Sequence, residues 1–194
     1  MINNIYKEIG INNDIAITKE AGEYIYNFLK EKNIKRTLEV GFAYGCSAAY
    51  IISATGSKHY AIDPYQYIFE NAGKKNIEKL ALSQFLDLKE EMSQFVLPKM
   101  YEEGVRVEFA FIDGGHLFDD TFVDFYFADL LLEENGYVLF HDYWMPSTKT
   151  VLSWIENNKK NYEIIEVGVG SLIMARKLRN EERNWDHFEP FTVG

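Results

Sequence analysis

The feature that most constrains the fold is an alternation of short apolar runs with longer amphipathic segments. Four runs are bounded by Gly, Pro or Asn and read RTLEVG, HYAIDP, VEFAFIDG and GYVLFHD. The segments between them carry apolar residues at helical spacing. Strands that helices cover on both faces read as continuous apolar runs. The pattern therefore predicts an open α/β sandwich with a mostly parallel sheet.

Two segments give the clearest helical patterns. From Thr18, the run TKEAGEYIYNFLKEK places apolar residues three and four positions apart, with Thr18 as the predicted N-cap. Residues 117–134, LFDDTFVDFYFADLLLEE, predict a second helix whose apolar stripe packs on the sheet while most aspartates take the opposite face. That stripe comprises Phe122, Val123, Tyr126, Phe127, Leu130 and Leu131, and the aspartates are Asp119, Asp120, Asp124 and Asp129.

The end of the chain departs from the alternation. After a helical pattern at TKTVLSWIENNKK, the runs YEIIEV and SLIMARK are joined by the short GVG, which predicts a hairpin and one antiparallel strand at the end of the sheet. Residues 178–194 are polar with isolated aromatics and predict a tail that either lies over the domain or covers a partner. With 194 residues and no visible linker or repeat, we expect a single domain over residues 1–194.

Composition excludes several classes of function. The formal net charge of −10 argues against a nucleic-acid partner, because that affinity comes largely from Lys and Arg. One cysteine and four scattered histidines give no zinc-ligand spacing. No run of about 18 apolar residues occurs, and the start MINNIYKEIGINND lacks the pattern of a signal peptide. We therefore expect a soluble, cytoplasmic protein with no membrane partner.

Polar residues follow the predicted strands at the points where the strands end. Ligands of open α/β sheets bind at these carboxyl ends. The same residue types are also common as turn formers and helix caps, so each taken alone has a purely structural explanation. The set consists of Glu39, Gly41, Gly45, Asp63, Asp113, His116, His141 and Asp142.

The glycines after the first strand do not complete a dinucleotide fingerprint. Instead of G-x-G-x-x-G, the chain has Glu39, Gly41 and then Gly45 before small residues. A buried carboxylate at Glu39 calls for a partner, and a ligand ammonium would supply one. The following helix N-terminus at Cys46 and Ser47 suits a ligand carboxylate. Asp63, at the end of the second strand, is placed to bind ribose hydroxyls. A site for an amino acid beside a site for a ribose predicts S-adenosylmethionine, in which an amino acid is joined to a nucleoside.

Four motifs in order, TLEVGFAYGCSA, AIDPYQ, FAFIDGGH and GYVLFHDYW, resemble those of the class I S-adenosylmethionine-dependent methyltransferases. The nearest members are the small-molecule O-methyltransferases of the catechol and caffeoyl-CoA type and their bacterial relatives. The resemblance covers residues 15–176. It implies a Rossmann-like, doubly wound, mostly parallel seven-stranded sheet with a C-terminal antiparallel strand. It also implies an enzyme that methylates a small hydroxylated acceptor.

The resemblance assigns cofactor-binding residues one by one. Residues after the first strand would line the methionine portion, Asp63 the ribose, and the residues after the third strand the adenine edge, in the segment LKEEMSQFVLPKM. A further contact is expected after the fourth strand. The implied set is Glu39, Gly41, Gly45, Ser47, Asp63, Met92, Ser93 and Asp113.

Metal-dependent members of the family hold a divalent cation with an aspartate after the fourth strand and an Asp-Asn pair after the fifth. Asp113 and Asp142 match, so the resemblance implies a site for Mg²⁺ or another divalent cation. Tyr143 stands where the asparagine would be, which puts this site in doubt. In the alternative interpretation, the two aspartates only orient His116 and His141 or cap the following segments.

His116 is the candidate general base, because Gly114 and Gly115 let the backbone turn tightly and neutral imidazole accepts a proton near neutral pH. Asp113 would orient its ring or hold the cation.

An apolar wall for the acceptor could come from Tyr65, Tyr67, Tyr143 and Trp144. Two alternatives to a methyltransferase stay open, a nicotinamide-dependent oxidoreductase and a non-catalytic cofactor-binding or scaffold protein. The acceptor is not determined, and a homodimer stays open.

Overall fold

The computed structural model describes residues 2–9 and 15–193. Its seven strands are β1 (Thr37–Val40), β2 (His59–Ile62), β3 (Leu86–Lys89), β4 (Val107–Ile112), β5 (Leu132–Phe140), β6 (Tyr162–Glu166) and β7 (Ile173–Lys177). The helices are α1 (Ile2–Ile9), α2 (Lys19–Glu31), α3 (Cys46–Thr55), α4 (Ala72–Lys79), α5 (Ser93–Glu102), α6 (Phe118–Leu131) and α7 (Pro146–Asn158). Among the described residues, no helix combines the length and apolar character needed to cross a membrane.

The strands form a seven-stranded sheet in the order β3-β2-β1-β4-β5-β7-β6. The pairs β1–β2, β2–β3 and β4–β5 are parallel, whereas β7 is antiparallel to both β5 and β6. The predicted Rossmann-like, mostly parallel sheet with an antiparallel strand at its C-terminal end is confirmed, and so is the hairpin at GVG.

The chain divides into two compact units, Met1–Val96 and Leu97–Gly194. Each is described below by itself, and the expectation of a single domain stays a prediction.

In the N-terminal unit, the core forms around α2 and α3. The predicted N-cap of α2 is confirmed, since the Ala21 amide donates to Thr18 Oγ1 at 3.2 Å. Ile25 and Leu29 of α2 are buried, as is the ring of Tyr50 in α3. Gly22 makes this packing feasible, because a Cβ at that position would clash with the Tyr50 ring. The two helices thus pack closely on each other, and α3 also contacts β2.

In the C-terminal unit, the predicted apolar stripe of α6 is wrong. The buried residues of this helix are Thr121, Asp124, Phe125, Ala128, Asp129 and Leu131, whereas Tyr126 is exposed. Of the predicted stripe, only Leu131 is buried. The helix carries apolar residues all round, so periodicity alone did not define which face meets the sheet. Asp124 and Asp129 lie on the buried side. Burying a carboxylate is unfavourable unless cations or hydrogen-bond donors pair with it.

Asp129 is compensated by cations from later in the chain. Its Oδ2 lies 2.5 Å from Lys159 Nζ, and its Oδ1 accepts the Tyr162 hydroxyl at 2.7 Å and lies 3.2 Å from Lys177 Nζ. Burial opposes ionisation, but Lys159 and Tyr162 outweigh it and hold the pKa of Asp129 below its ordinary value. Lys159 Nζ also binds Glu181 Oε2 at 2.6 Å, which ties the tail to this cluster.

The tail lies on its own unit. Asn158 binds the backbone of Glu189 twice, with Oδ1 accepting the amide at 2.7 Å and Nδ2 donating to the carbonyl at 3.0 Å. Asn161 Nδ2 donates to the carbonyl of Arg179 at 3.0 Å. These contacts tie Arg179 and Glu189 of the tail to residues of the same unit, and whether the tail also covers a partner stays a prediction.

Candidate functional site

In the N-terminal unit, the loop between β1 and α3, residues 41–45, makes an unusually tight turn. Gly41 and Gly45 have φ of +93° and +72°, and the non-glycine residue Ala43 has φ of +42°. The Gly41 amide donates to the carbonyl of Ile62 at 2.9 Å, and the Gly45 amide donates to that of Phe42 at 2.6 Å. The loop therefore needs glycine at its two ends, where φ is positive.

The N-terminus of α3 is free to receive a ligand group. Gly45 is its N-cap and provides no side-chain hydrogen bond, so amides of the first turn lack the partner that a capping side chain would give. Ser47 lies in this turn and is buried. Burial, followed by the nearby charge of Glu39, raises the pKa of Cys46 to about 12. Its thiol is thus neutral and does not repel an anion.

Glu39 is the orphaned carboxylate of this unit. It is 0% exposed, and neither oxygen has a hydrogen-bond partner among the described residues. His59 Nε2 lies 3.4 Å from Glu39 Oε1, and His59 Nδ1 lies 2.9 Å from Thr37 Oγ1. Sequence reasoning missed His59, although parallel pairing places it beside Thr37. The carboxylate still has unmet hydrogen-bonding capacity, which fits a ligand that carries a donor.

Asp63, the predicted ribose residue, organises the loop in this structure. Its Oδ2 accepts the amides of Ala43 at 2.6 Å and Phe42 at 3.2 Å, and its Oδ1 accepts the amide of Tyr65 at 2.7 Å. Gln66 Nε2 is a further donor to Oδ2 at 3.1 Å, so of the carboxylate's about four lone-pair sites only one, on Oδ1, is left for a ligand hydroxyl. Binding of ribose stays a prediction, and a structural role is now established beside it.

The predicted adenine residues follow β3 as expected. Ser93 begins α5, and Met92 precedes it with its sulfur 3.8 Å from the hydroxyl of Tyr65. Tyr65 and Tyr67 are exposed on the segment after β2. The first of these aromatics therefore lies beside Met92, while their roles toward a ligand stay predictions.

In the C-terminal unit, strand register brings two site residues together. Ile112 of β4 pairs with Phe140 of β5, and the next residues, Asp113 and His141, lie side by side with Asp113 Oδ1 3.0 Å from His141 Nδ1. The predicted orientation of His116 by Asp113 is therefore not what the structure shows. His116 Nε2 instead lies 3.0 Å from Asp142 Oδ2.

Asp142 is the centre of this second cluster. It is a non-glycine residue at φ +49°, a conformation that persists only where surrounding contacts fix it. Its Oδ1 accepts from Trp144 Nε1 at 3.1 Å and from Ser171 Oγ at 3.3 Å. Ser171 Oγ also lies 3.1 Å from His141 Nε2. Sequence reasoning missed Ser171, because it comes from the β6–β7 loop and carries no motif.

Charges within the cluster shift three pKa values. Burial disfavours the charged form of His141, but Asp113 and Asp142 outweigh it and raise the pKa of His141. Burial likewise opposes ionisation of Asp142, whereas His141 and His116 hold the pKa of Asp142 below its ordinary value. Burial raises the pKa of Asp113, and His141 only partly offsets this. The cluster therefore holds a proton on His141 to a higher pH than a free histidine would.

Three ligand-type atoms converge here. One atom each from Asp113, His141 and Asp142 lies within 4.8 Å of the others. Two carboxylates and an imidazole suit a divalent cation. His141 was absent from the predicted ligand pair. The alternative interpretation is equally visible in the contacts, since each aspartate also pairs with a histidine.

Comparison with known proteins identifies the family. The chain matches the family model described as "Methyltransferase domain" over residues 38–143, which is more than half of its 194 residues. The chain therefore belongs to this methyltransferase family. No curated protein matches it in sequence.

Solved structures show the same fold at low identity. An O-methyltransferase from Bacillus cereus in complex with SAH has a TM-score of 0.78 and 13% identity, over 91% of this chain and 90% of that chain. TomG from Streptomyces achromogenes, an O-methyltransferase involved in tomaymycin synthesis and solved with SAM, has a TM-score of 0.75 and 13% identity, over 92% and 88%. The SAH-bound methyltransferase PaMTH1 from Podospora anserina has a TM-score of 0.73 and 14% identity, over 92% and 88%. The predicted resemblance is confirmed.

Proposed function

We propose that this protein is an S-adenosylmethionine-dependent methyltransferase that O-methylates a small hydroxylated acceptor. The observation that carries the proposal is the family match over residues 38–143, because that range contains the loops after β1, β2, β4 and β5. The cofactor bound to the solved neighbours supports the same assignment.

The N-terminal unit fits the cofactor on two observations, the uncapped N-terminus of α3 and the orphaned carboxylate of Glu39. The first suits a carboxylate and the second a group with hydrogen-bond donors, which are the two ends of an amino acid. When bound, S-adenosylmethionine supplies an electrophilic methyl group on its sulfonium. The proposed contacts of this unit come from Glu39, Gly41, Gly45, Ser47, Asp63, Met92 and Ser93.

The C-terminal unit would handle the acceptor. His116 is 42% exposed on its side chain, and Nε2 lies within 3.0 Å of Asp142 Oδ2. That pairing orients the ring and stabilises the imidazolium that forms when His116 takes the proton of an acceptor hydroxyl. Trp144, which is 58% exposed, and Tyr143 offer apolar surface next to this base. Asp113 acts in this proposal through His141 and not through His116.

A divalent cation would be held by Asp113, His141 and Asp142. It would lower the pKa of the acceptor hydroxyl. Its binding requires His141 to be neutral, so the proton that the two aspartates keep on this ring competes with the metal.

The alternative of a nicotinamide-dependent oxidoreductase is not favoured, because the family match is to methyltransferases and the glycine fingerprint is incomplete. A non-catalytic protein of this family would bind the cofactor and lack turnover.

Calorimetric titrations with S-adenosylmethionine and with NADH separate the first alternative, and we expect heat only from the former. Transfer of a labelled methyl group to a panel of phenols, sugars and polyketide-type alcohols then tests turnover. Absence of S-adenosylmethionine binding to the folded protein would end the proposal.

A further inference from the structure

Ala43 occupies a conformation that its neighbours must maintain. A non-glycine residue in the left-handed region, here at φ +42°, is strained and persists only when its surroundings fix it. Both backbone polar groups of Ala43 are bound by side chains of one segment. Its amide donates to Asp63 Oδ2 at 2.6 Å, and its carbonyl accepts from Gln66 Nε2 at 2.8 Å.

Gln66 makes this second bond from a fully buried position. It is 0% exposed, and its Nε2 lies 3.1 Å from Asp63 Oδ2 as well, so one amide joins the two groups that hold Ala43. Its Oε1 has no hydrogen-bond partner among the described residues. A buried unpaired oxygen is unfavourable, and an apolar side chain would avoid it. The amide at position 66 is therefore explained by what its NH₂ group binds and not by packing alone.

Two residues of α4, Gly73 and Asn76, also hold the loop. Asn76 Nδ2 donates to the carbonyl of Tyr44 at 3.0 Å. Gly73 lets the start of α4 approach closely, because a Cβ there would clash with the Ala43 carbonyl oxygen and lie 2.5 Å from the Phe42 ring. From the other side, a Cβ on Gly45 would lie 3.1 Å from the carbonyl oxygen of Gly73. The loop thus fits between β2 and α4 with no room to shift toward α4.

We infer that Gln66 is a positioning residue that, together with Asn76 and Gly73, holds loop 41–45 in the shape that receives the methionine end of the cofactor. The inference rests on the proposed function for its consequence, S-adenosylmethionine affinity. The shape of the loop itself is measured separately from cofactor binding.

Gln66→Ala tests the inference with two readouts. We expect amide exchange at Phe42, Ala43 and Tyr44 to accelerate about tenfold while exchange elsewhere in the unit is unchanged, as for the loss of one buried hydrogen bond. The Kd for S-adenosylmethionine should rise about tenfold, with kcat at saturating cofactor within about threefold of wild type. Gln84→Ala, at an exposed glutamine of the same unit, is the matched control and should change neither readout.

A second variant separates positioning from general damage. Glycine adopts positive φ without the steric cost that alanine bears. Ala43→Gly combined with Gln66→Ala should therefore restore most of the lost affinity, whereas a merely structural role of Gln66 predicts no rescue. If Gln66→Ala does not fold, Asn76→Ala removes a half-buried donor to the same loop and should show the same local acceleration.

Unchanged exchange at residues 42–44 in a folded variant, or acceleration spread evenly over the whole unit, would overturn the inference. Local acceleration with unchanged S-adenosylmethionine affinity would overturn its functional part. If the wild-type protein binds no S-adenosylmethionine, the proposed function fails, and the exchange measurement still decides whether Gln66 positions the loop.

Discussion

Asp63 of the N-terminal unit and the pair Asp113 and Asp142 of the C-terminal unit are strand-end carboxylates that are held in opposite ways. In the N-terminal unit, Asp63 accepts three backbone amides of its own unit, and those donors do not titrate. In the C-terminal unit, Asp113 pairs with His141 and Asp142 pairs with both His141 and His116, and the two aspartates raise the pKa of His141. One strand end is therefore organised by fixed hydrogen bonds, and the other by charges that a proton or a cation can rearrange. This difference suits a loop that receives a cofactor and a cluster that moves a proton.

The largest expected effect comes from removing His116, the proposed general base of the C-terminal unit. His116→Ala should lower turnover by about 10²- to 10⁴-fold, the usual contribution of a positioned general base. Cofactor affinity should not change, because His116 pairs with Asp142 in the C-terminal unit, whereas the loop proposed to bind the cofactor lies in the N-terminal unit. Steady-state kinetics at saturating cofactor, with calorimetry alongside, measures both quantities.

The control for that variant is His187→Ala, which removes a histidine from the tail of the same unit. Turnover of His116→Ala equal to that of the control would remove His116 from the mechanism.

The next largest effect is expected from Asp63→Ala, which removes the acceptor of the backbone hydrogen bonds in the N-terminal unit. It should weaken S-adenosylmethionine binding by more than about 1.5 kcal/mol, since a charged hydrogen-bond partner is lost. It should also lower the thermal midpoint, because the amides of Phe42, Ala43 and Tyr65 lose their acceptor. Calorimetry and circular dichroism measure the two effects.

Asp87→Ala is the matched control, because Asp87 of β3 forms ion pairs with Lys58 and Lys89, which are partly exposed. Cofactor affinity as high in Asp63→Ala as in Asp87→Ala would refute the ribose assignment.

A third prediction concerns metal binding, which we expect in the C-terminal unit, at Asp113, His141 and Asp142, and which should depend on pH. The raised pKa of His141 means that a cation must displace its proton. Below that pKa we expect the affinity for Mn²⁺ to fall by up to about tenfold per pH unit, with proton release on binding. Asp142→Asn should weaken binding by a further tenfold or so. Calorimetry in two buffers of different ionisation enthalpy measures both, and full activity in EDTA would remove the metal from the mechanism.

The smallest expected effect concerns stability without metal. Since the folded pKa of His141 is raised above its unfolded value near 6.5, the stability it contributes is complete below about pH 6.5 and is lost as pH rises through the folded pKa. The free-energy advantage of wild type over His141→Gln should therefore shrink between pH 6 and pH 9. Urea titrations measure it. A constant difference across that range would show that His141 holds no extra proton in the folded state.

Most of the architecture could be predicted because it depends on local pattern. Apolar runs defined β1, β2, β4 and β5, and Thr18 marked a helix start through its side-chain oxygen. The buried face of α6 could not be predicted, because burial of Asp129 depends on Lys159 and Lys177, which lie far along the chain.

The site divides in the same way. Motif order placed Glu39, Asp63, Asp113 and Asp142 at strand ends, which the structure bears out. The partners of those residues were not predictable, because they depend on register and on loops without motifs. Ser171 reaches the cluster from a β6–β7 loop, and Gln66 reaches Ala43 from the segment after β2.

The exposed indole of Trp144 donates a hydrogen bond to Asp142, so tryptophan fluorescence can be used to follow changes at this contact. All three tryptophans lie in the C-terminal unit, with Trp154 packed against Phe122 and Phe125, and Trp185 97% exposed on the tail. The N-terminal unit has none. Tryptophan emission therefore originates in the C-terminal unit alone and is sensitive to events around Asp142. A change in the spectrum on adding a cation, or on shifting the pH, would therefore report from the acid–histidine cluster and its own unit without any label.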